Sequence, residues 1–412
     1  MPQLHWYQQL FTRRMLICVF TGFSSGLPLY LLLNLVPAWL KTEHIDLKAI
    51  GLLSLVQFPY TWKFIWSPFI DRFPILGLGR RRGWMLASQL ALILAIAAMG
   101  FLSPQTSLWS IAYLAFGVAF FSASQDIVLD AYRREILSDQ ELGLGNSVHV
   151  NAYRIAGLVP GSLSLIMADH LPWHWVFPIT ALFMLPGLML TLVCKEPAAT
   201  RAPKTLREAV VEPFHEFMQR QGVQNALLIL AFIFLYKLGD SMATSLATPF
   251  YQDIGFSKTE IGLIAKHAGL WPSVIGGMLG GIWMLRLGIN RALWVFGVVQ
   301  LLAIFGFWFL AGVGHDRMVL AGVIGFEAFG VGVGTAAFTA FIARTTDPRY
   351  TATQFALFTS LAAVPRTFFN ASTGWLVEAL GWQSFFLLCA LLAVPGMLLL
   401  FKVAPWQAEK ES

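Results

Sequence analysis

Charge is what this chain has least of. Asp, Glu, Lys and Arg supply only 12% of its 412 residues, about half the share usual in soluble domains. A water-soluble fold of this size needs far more polar surface, so a soluble globular domain is excluded. Cysteine is nearly absent as well. Cys18, Cys194 and Cys389 each lie inside an apolar run and form no CxxC pair, so neither a disulfide framework nor a thiolate zinc site is implied. There is no GxxxxGK phosphate loop, and His215 and Glu216 are not followed by the second histidine of a zincin. The chain therefore does not hydrolyse ATP itself, and no cofactor or metal is expected. Long blocks of like charge are missing too. Despite a net charge of +6, Lys and Arg stand singly or in short clusters between apolar segments, which is the pattern of membrane topology rather than of nucleic-acid binding.

What is present is hydrophobicity, at 57% of the residues. Crossing a bilayer takes about 20 mostly apolar residues. Apolar stretches between polar breaks predict spans at 15–39, 48–70, 83–102, 107–130, 144–168 and 173–194, then at 224–251, 258–285, 291–312, 317–343, 352–378 and 382–403. The first resembles a signal peptide, with Arg13 and Arg14 ahead of it and small residues from Ser24 to Gly26. Its apolar stretch runs on through Pro28 to Trp39, too long for a signal core, so it is read as an uncleaved first span. The fold class is an all-α membrane protein of twelve transmembrane helices.

Orientation follows from the basic residues. With the N-terminus in the cytoplasm, 19 Lys and Arg fall on that face and only Lys41, Lys48, Lys258 and Arg317 on the other, which places both termini inside. Residues 195–223 carry Lys195, Arg201, Lys204 and Arg207, with Leu206, Val210, Phe214 and Phe217 at helical spacing. This reads as a cytoplasmic linker with an interfacial amphipathic helix kinked near Pro213. The expected organisation is an N-terminal bundle at 1–194, the linker at 195–223 and a C-terminal bundle at 224–412.

A faint repeat supports that division. Gly51 and Gly262, Arg81 and Arg291, Arg133 and Arg344, and Arg154 and Arg366 recur at an offset of 210 to 212 residues. Parallel six-helix repeats resemble the major facilitator superfamily, whose substrate site lies near the midplane. Residues 66–84 resemble its signature loop, with Asp71 and Arg72 at a helix end and the Arg80 to Arg82 cluster after a turn. The resemblance implies a gating latch at Asp71, Arg72, Arg80 and Arg133; plain positive-inside topology accounts for the arginines equally well.

Apart from charges close to the predicted ends on which topology draws, nine ionisable residues of the spans are singled out: Lys63, Asp126, Asp130, Arg154, Lys237, Asp240, Lys266, Glu327 and Arg366. A charge at a helix centre costs about 2.5 to 3.5 kcal/mol, so each is expected to face a cavity or an opposite charge. None of the nine occurs in spans 3, 6, 9 or 12, where only the end residues Arg291 and Lys402 are charged; these spans face lipid in the superfamily that the repeat resembles. Asp126 and Asp130 are four residues apart and share one helix face. They are either a proton carrier or partners of Arg133, and Asp240 and Glu327 are further candidates for proton coupling. Lys237 and Asp240, three apart, either serve the solute or neutralise each other. Arg154 and Arg366 bind anionic groups or tie the acids together. Lys266 has His267 beside it, and Lys63, near the cytoplasmic end, is expected to snorkel. Glu327 precedes Gly330, Gly332 and Gly334, a run that suits either a gate or close packing. Gln125, Tyr236, Trp271 and Gln354 can add hydrogen bonds and stacking for sugars. Gly22-Phe-Ser24-Ser-Gly26 matches GxSxG, but it lies within a span and not on a strand-to-helix turn, so Ser24 is not read as a nucleophile.

Several segments resemble the AmpG family of bacterial permeases: GFSSGLPL at 22–29, KFIWSPFIDR at 63–72, ASQDIVLDAYR at 123–133, LYKLGDS at 235–241 and TATQFALFTSLAAVPR at 351–366. The resemblance implies proton-driven import of N-acetylglucosaminyl-1,6-anhydro-N-acetylmuramyl peptides across the bacterial inner membrane by a monomer. It carries Asp126, Asp130, Lys237, Asp240, Gln354 and Arg366 as functional positions. A carrier of another anionic solute such as acetyl-CoA, and a membrane-embedded hydrolase or acyltransferase, are the alternatives.

Overall fold

The computed structural model describes residues 11–45, 58–75, 77–197, 211–256 and 258–406, among which there is no strand. The helices of the first part are α1 (Arg13–Tyr30), α2 (Val36–Thr42), α3 (Phe58–Trp62), α4 (Ser67–Arg72), α5 (Arg82–Met99), α6 (Pro104–Ile136), α7 (Leu142–Ala156), α8 (Ser164–Ala168), α9 (Trp173–Leu182) and α10 (Leu185–Val193). There follow α11 (Glu212–Gln221), α12 (Val223–Leu235), α13 (Leu238–Ser245), α14 (Ala247–Asp253), α15 (Lys258–Val313), α16 (Arg317–Thr345), α17 (Thr351–Phe368) and α18 (Thr373–Val403).

Among the described residues, eight runs are long and apolar enough to cross a membrane. One of them lies in α15, which bends at Gly288 (φ 75°) and so holds two of the expected spans. The second, fifth and eleventh expected spans fall on shorter pieces, α3 with α4, α7 with α8, and α17. The total agrees with twelve crossings. Proline explains two of the interruptions, because its ring displaces the carbonyl four residues back and it has no N–H to give. Pro28 precedes the wide turn at Leu31–Leu35 and Pro160 sits inside the one at Val159–Leu163, where the backbone relaxes to i→i+5 bonding. Large apolar side chains point outward, with Leu94 70%, Trp109 78% and Leu391 67% exposed. That is the inverse of a soluble surface and suits lipid.

Contacts group the chain into two units. The first comprises Met1–Ser138, Val148–Phe214 and Thr346–Ser360, and the second Asp139–Ser147, His215–Thr345 and Leu361–Ser412. In the first, Leu31, Leu35 and Trp39 pack with Leu92, Ile96, Val118 and Phe177, and the Trp39 and Phe177 rings meet edge to face at 4.8 Å. Here α1 and α7 touch backbone to backbone. A Cβ at Gly22 would overlap the His149 carbonyl oxygen, and one at Gly26 that of Tyr153. Backbone cannot step aside as a side-chain tip can. Gly26→Ala is therefore expected to lower stability by about 1–3 kcal/mol or more, read as the denaturation midpoint of the purified protein in detergent, whereas Gly117→Ala, which meets nothing within 4 Å, leaves it unchanged.

The second unit is built on Phe250, Phe307, Phe385, Phe386 and Cys389, with Phe307 and Phe386 stacked at 5.4 Å. Glycines interlock α15 with α16. Gly276 lies against Phe329, Gly280 against Val333, and Gly332 against the Ser273 carbonyl. The glycine run after Glu327 thus serves close packing within a helix that continues unbroken to Thr345.

Candidate functional site

The loop before α5 is held by an ion network inside the first unit. The turn at Gly79 (φ 103°) delivers Arg81, fully buried, between Asp71 at 2.8 Å and Glu135 at 2.6 Å. Burial alone would push the Arg81 guanidinium down, but the Glu135 and Asp71 carboxylates outweigh it and the group is held above its ordinary value. Arg80 donates to Glu135 at 3.1 Å and is pushed the other way by burial and by the charge of Arg81. The second Asp71 oxygen accepts from the Thr353 amide and hydroxyl, both at 2.8 Å. It thereby caps the first turn of α17, where an anion is favoured by the helix dipole. Glu196 does the same for α5, accepting from the amides of Arg81 at 2.8 Å and Arg82 at 3.0 Å.

Of the residues expected to gate, Asp71, Arg80 and Arg133 carry contacts of this kind. Arg133 pairs with Asp130 at 2.7 Å and lies 5.9 Å from the Phe355 ring centroid. Arg72 lies over Phe73 at 5.1 Å. Glu135, Glu196 and Thr353 were not singled out from sequence, and Arg81 stood out there only as a repeat position within the Arg80 to Arg82 cluster. Their signal is weak, since three successive arginines look alike until a backbone turn selects one. The repeat partner Arg291 is treated differently, donating to the Trp406 carbonyl at 3.2 Å with no ion pair among the described residues.

Asp126 and Asp130 lie on one face of α6 but are not equivalent. Asp130 has Arg133 at 2.7 Å and Lys63 at 3.8 Å. Lys63 is buried and does not snorkel; it is held in by this acid. Asp126 forms no ion pair among the described residues and accepts a 2.5 Å hydrogen bond from the Ser25 hydroxyl. Beside it, Gln125 donates to Ser24 at 2.9 Å, and its buried amide oxygen has no partner among the described residues. Ser24 is buried in helical α1 with no base on it, so the GxSxG match carries no nucleophile. Arg154 is half-buried on α7 in the same unit.

The second unit contains a cavity of about 690 Å³ whose wall includes Lys237, Asp240, Glu327, Thr335, Phe338 and Asn370. The helix breaks between α12 and α13 at Lys237 (φ −101°, ψ 0°), and the break turns this side chain inward. Its ammonium lies 2.8 Å from Gln300 Oε1, 3.5 Å from Thr335 Oγ1 and 3.8 Å from Asp240 Oδ2. Ser241, Thr244, Ser245 and Thr373 add hydroxyls to the wall. One cation, two acids, a hydroxyl belt and one aromatic face can bind a solute that has both sugar hydroxyls and charged groups.

Three candidate solute contacts are engaged elsewhere. Gln354 is buried with both ends of its amide in use, donating to the Pro213 carbonyl at 2.9 Å and accepting from the Asp347 amide at 2.6 Å. It ties α11 and the turn before α17 to α17. Tyr236 donates its hydroxyl to the Leu293 carbonyl at 2.8 Å and stacks on Phe338 at 5.5 Å, so it packs behind the cavity wall. Trp271 is 55% exposed and does not line the cavity. Lys266 and Arg366 lie on α15 and α17, and their side chains are outside the described residues, as is 198–210 of the linker.

A Major Facilitator Superfamily family model matches residues 16–369 and again 229–412, the double match expected of an internal repeat. The chain is 51% identical over 411 residues to an uncharacterized protein of Haemophilus influenzae, covering 97% of each. It is 44% identical over 398 residues to the anhydromuropeptide permease of Escherichia coli strain K12, covering 96% of this chain and 80% of that one. Among solved structures, the human organic anion transporter MFSD10 (TETRAN) superposes with a TM-score of 0.69 at 17% identity, over 94% of this chain and 99% of that one, which establishes the fold. The chain belongs to the major facilitator superfamily and, within it, to the AmpG-type permeases.

Proposed function

We propose that this secondary transporter imports GlcNAc-1,6-anhydro-MurNAc peptides across the bacterial inner membrane, driven by the proton motive force, for peptidoglycan recycling. The observation that carries the reading is the cavity in the second unit, where Lys237, Asp240 and Glu327 share a wall with hydroxyls and the Phe338 ring. Lys237 meets a peptide carboxylate, the hydroxyl belt meets sugar, and Phe338 offers an apolar sugar face a surface to stack on. In the same reading Gln125 and Arg154 are solute contacts of the first unit, while the expectation for Lys266 and Arg366 falls on side chains outside the described residues.

Asp126 is the proton carrier in this reading, with Asp240 and Glu327 as the acids on the solute side. Asp130 balances Lys63 and Arg133. The halves at 1–194 and 224–412 work as a monomer, with both termini in the cytoplasm as the 19 basic residues on that face require. The Asp71 and Arg81 network is the gate, because it holds the first turn of α17 only while the carboxylate reaches Thr353.

Uptake of labelled anhydromuropeptide into right-side-out vesicles, with unlabelled anhydromuropeptide or acetyl-CoA as competitor, tests the substrate. Competition by the muropeptide alone is expected. Uptake of labelled acetyl-CoA by the same vesicles, with no muropeptide uptake, would give the other anionic solute, and recovery of a chemically altered solute would give an enzyme.

A further inference from the structure

The eleventh expected span does not run as one helix. α17 ends at Phe368, a single 3₁₀ turn covers Asn370–Ser372, and α18 starts at Thr373. Transporters break helices at membrane depth where the backbone lines a solute site, and here Asn370 and Thr373 of the break stand on the wall of the second unit's cavity. Counting hydrogens shows what that wall can offer. A hydroxyl has one hydrogen to give. Thr244 gives its own to the Asp240 carbonyl at 2.9 Å, Ser245 to the Met242 carbonyl at 2.7 Å and Thr373 to the Asn370 carbonyl at 2.7 Å. Toward the cavity these three hydroxyls are therefore acceptors. They suit the hydroxyls of a sugar and have nothing to give to a carbonyl oxygen.

Asn370 differs. It is the one carboxamide among the described wall residues and is half-buried, and such an amide carries two N–H donors and two oxygen lone pairs. Among the described residues its side-chain partner is Ser241, which accepts from Nδ2 at 3.3 Å and donates to Oδ1 at 3.4 Å. One hydroxyl engages at most one N–H and one lone pair, here through bonds longer than the usual range, so an N–H of Nδ2 is left for the solute. We propose that Asn370 sets specificity for the acetamido groups of the amino sugars: Nδ2 donates to an acetamido carbonyl oxygen, while the oxygens of Thr244, Ser245 and Thr373 accept from sugar hydroxyls. The proposal rests on the reading of that cavity as a solute site. A hydroxyl in place of the acetamido group ends two bonds short of that carbonyl oxygen. It would leave the amide N–H without its acceptor, and a site built around a hydrogen bond rejects the analogue that lacks it. The amides of a stem peptide offer the same carbonyl, so the test distinguishes the two sources.

The test is competition against uptake of labelled GlcNAc-1,6-anhydro-MurNAc-tripeptide into vesicles under an imposed proton gradient. Two peptide-free competitors are compared: GlcNAc-1,6-anhydro-MurNAc, and the same disaccharide with hydroxyls in place of both acetamido groups. Wild-type protein is expected to bind the acetamido form about tenfold more tightly, as one hydrogen bond to an otherwise unpaired group allows. Asn370→Leu, which keeps the volume and removes the amide, should bring that ratio to about one. General damage to the site moves both inhibition constants together and leaves their ratio unchanged. Should Asn370→Leu fail to insert, Asn370→Ala carries the same expectation. A ratio of about one in the wild-type protein, or a preference kept in the variants, would overturn the role. A kept preference together with a selective loss of inhibition by the free stem tripeptide would assign the amide to the peptide and overturn the sugar assignment. Phe338→Leu, which removes the stacking face, should weaken both disaccharides. Unchanged inhibition by both in that variant would overturn the reading of the cavity as a solute site, and the proposal with it.

Discussion

Asp126→Asn is expected to abolish accumulation while leaving the protein inserted and able to equilibrate solute. One proton moving down about 100 mV supplies about 2.3 kcal/mol, which sustains roughly fifty-fold accumulation. The variant should therefore fall from a ratio of that order to about one. Its geometry isolates the proton, because an asparagine oxygen can still accept from Ser25, the one hydrogen bond Asp126 receives among the described residues. Asp130→Asn should behave differently. It leaves the buried charges of Lys63 and Arg133 short of their shared counter-ion, so its first effect is on stability, at about 3–5 kcal/mol for a broken buried pair. The steady-state ratio of internal to external solute, set beside the denaturation midpoint of each variant, separates the two. Loss of stability with retained accumulation in Asp126→Asn, together with lost accumulation in well-folded Asp130→Asn protein, would reverse the assignment.

Arg81→Met is expected to be the most destabilising substitution in the loop before α5, by about 3–5 kcal/mol. It removes the cation that, alone among the described residues, pairs with both Asp71 at 2.8 Å and Glu135 at 2.6 Å, from a site with no solvent exposure. Arg81→Lys should recover only part of the loss, since a single ammonium cannot span both carboxylates as a guanidinium fork does. Arg80→Met should cost less, because its hydrogen bond to Glu135, at 3.1 Å, is longer and Arg81 also serves that acid. Denaturation midpoints of the three variants in one detergent give the order directly. Equal losses for Arg80→Met and Arg81→Met would mean that the loop is held by net charge and not by this geometry.

Much of the fold was legible because the bilayer imposes a simple rule. Apolar runs of span length, and a Lys and Arg bias of 19 to 4, leave few arrangements open to a chain of this composition. The site was legible only where chemistry is expensive. Lys237, Asp240 and Glu327 stood out as charges in apolar helices, and they meet on one cavity. Gln354 and Tyr236 show the limit. A polar group in an apolar run signals that a partner exists, but not whether that partner is a solute or the Pro213 or Leu293 carbonyl. Gln300 shows the opposite failure. A neutral amide in a nearly uncharged span attracts no attention, and its hydrogen bond from Lys237 appears only when the helices are packed, with Gly334 of α16 against the amide. Charge spacing likewise paired Asp126 with Asp130; what distinguishes them, Lys63 and Ser25, comes from other helices.

Proton movement during solute entry tests the account most directly. Proteoliposomes in weakly buffered medium, with no imposed gradient, are given anhydromuropeptide while a pH electrode follows the outside. Wild-type protein should alkalinise the medium as solute enters, and Asp126→Asn should admit solute with no pH change. Solute entry without alkalinisation in the wild-type protein, or uptake into energised vesicles that a protonophore leaves undiminished, would contradict proton coupling and the role given to Asp126.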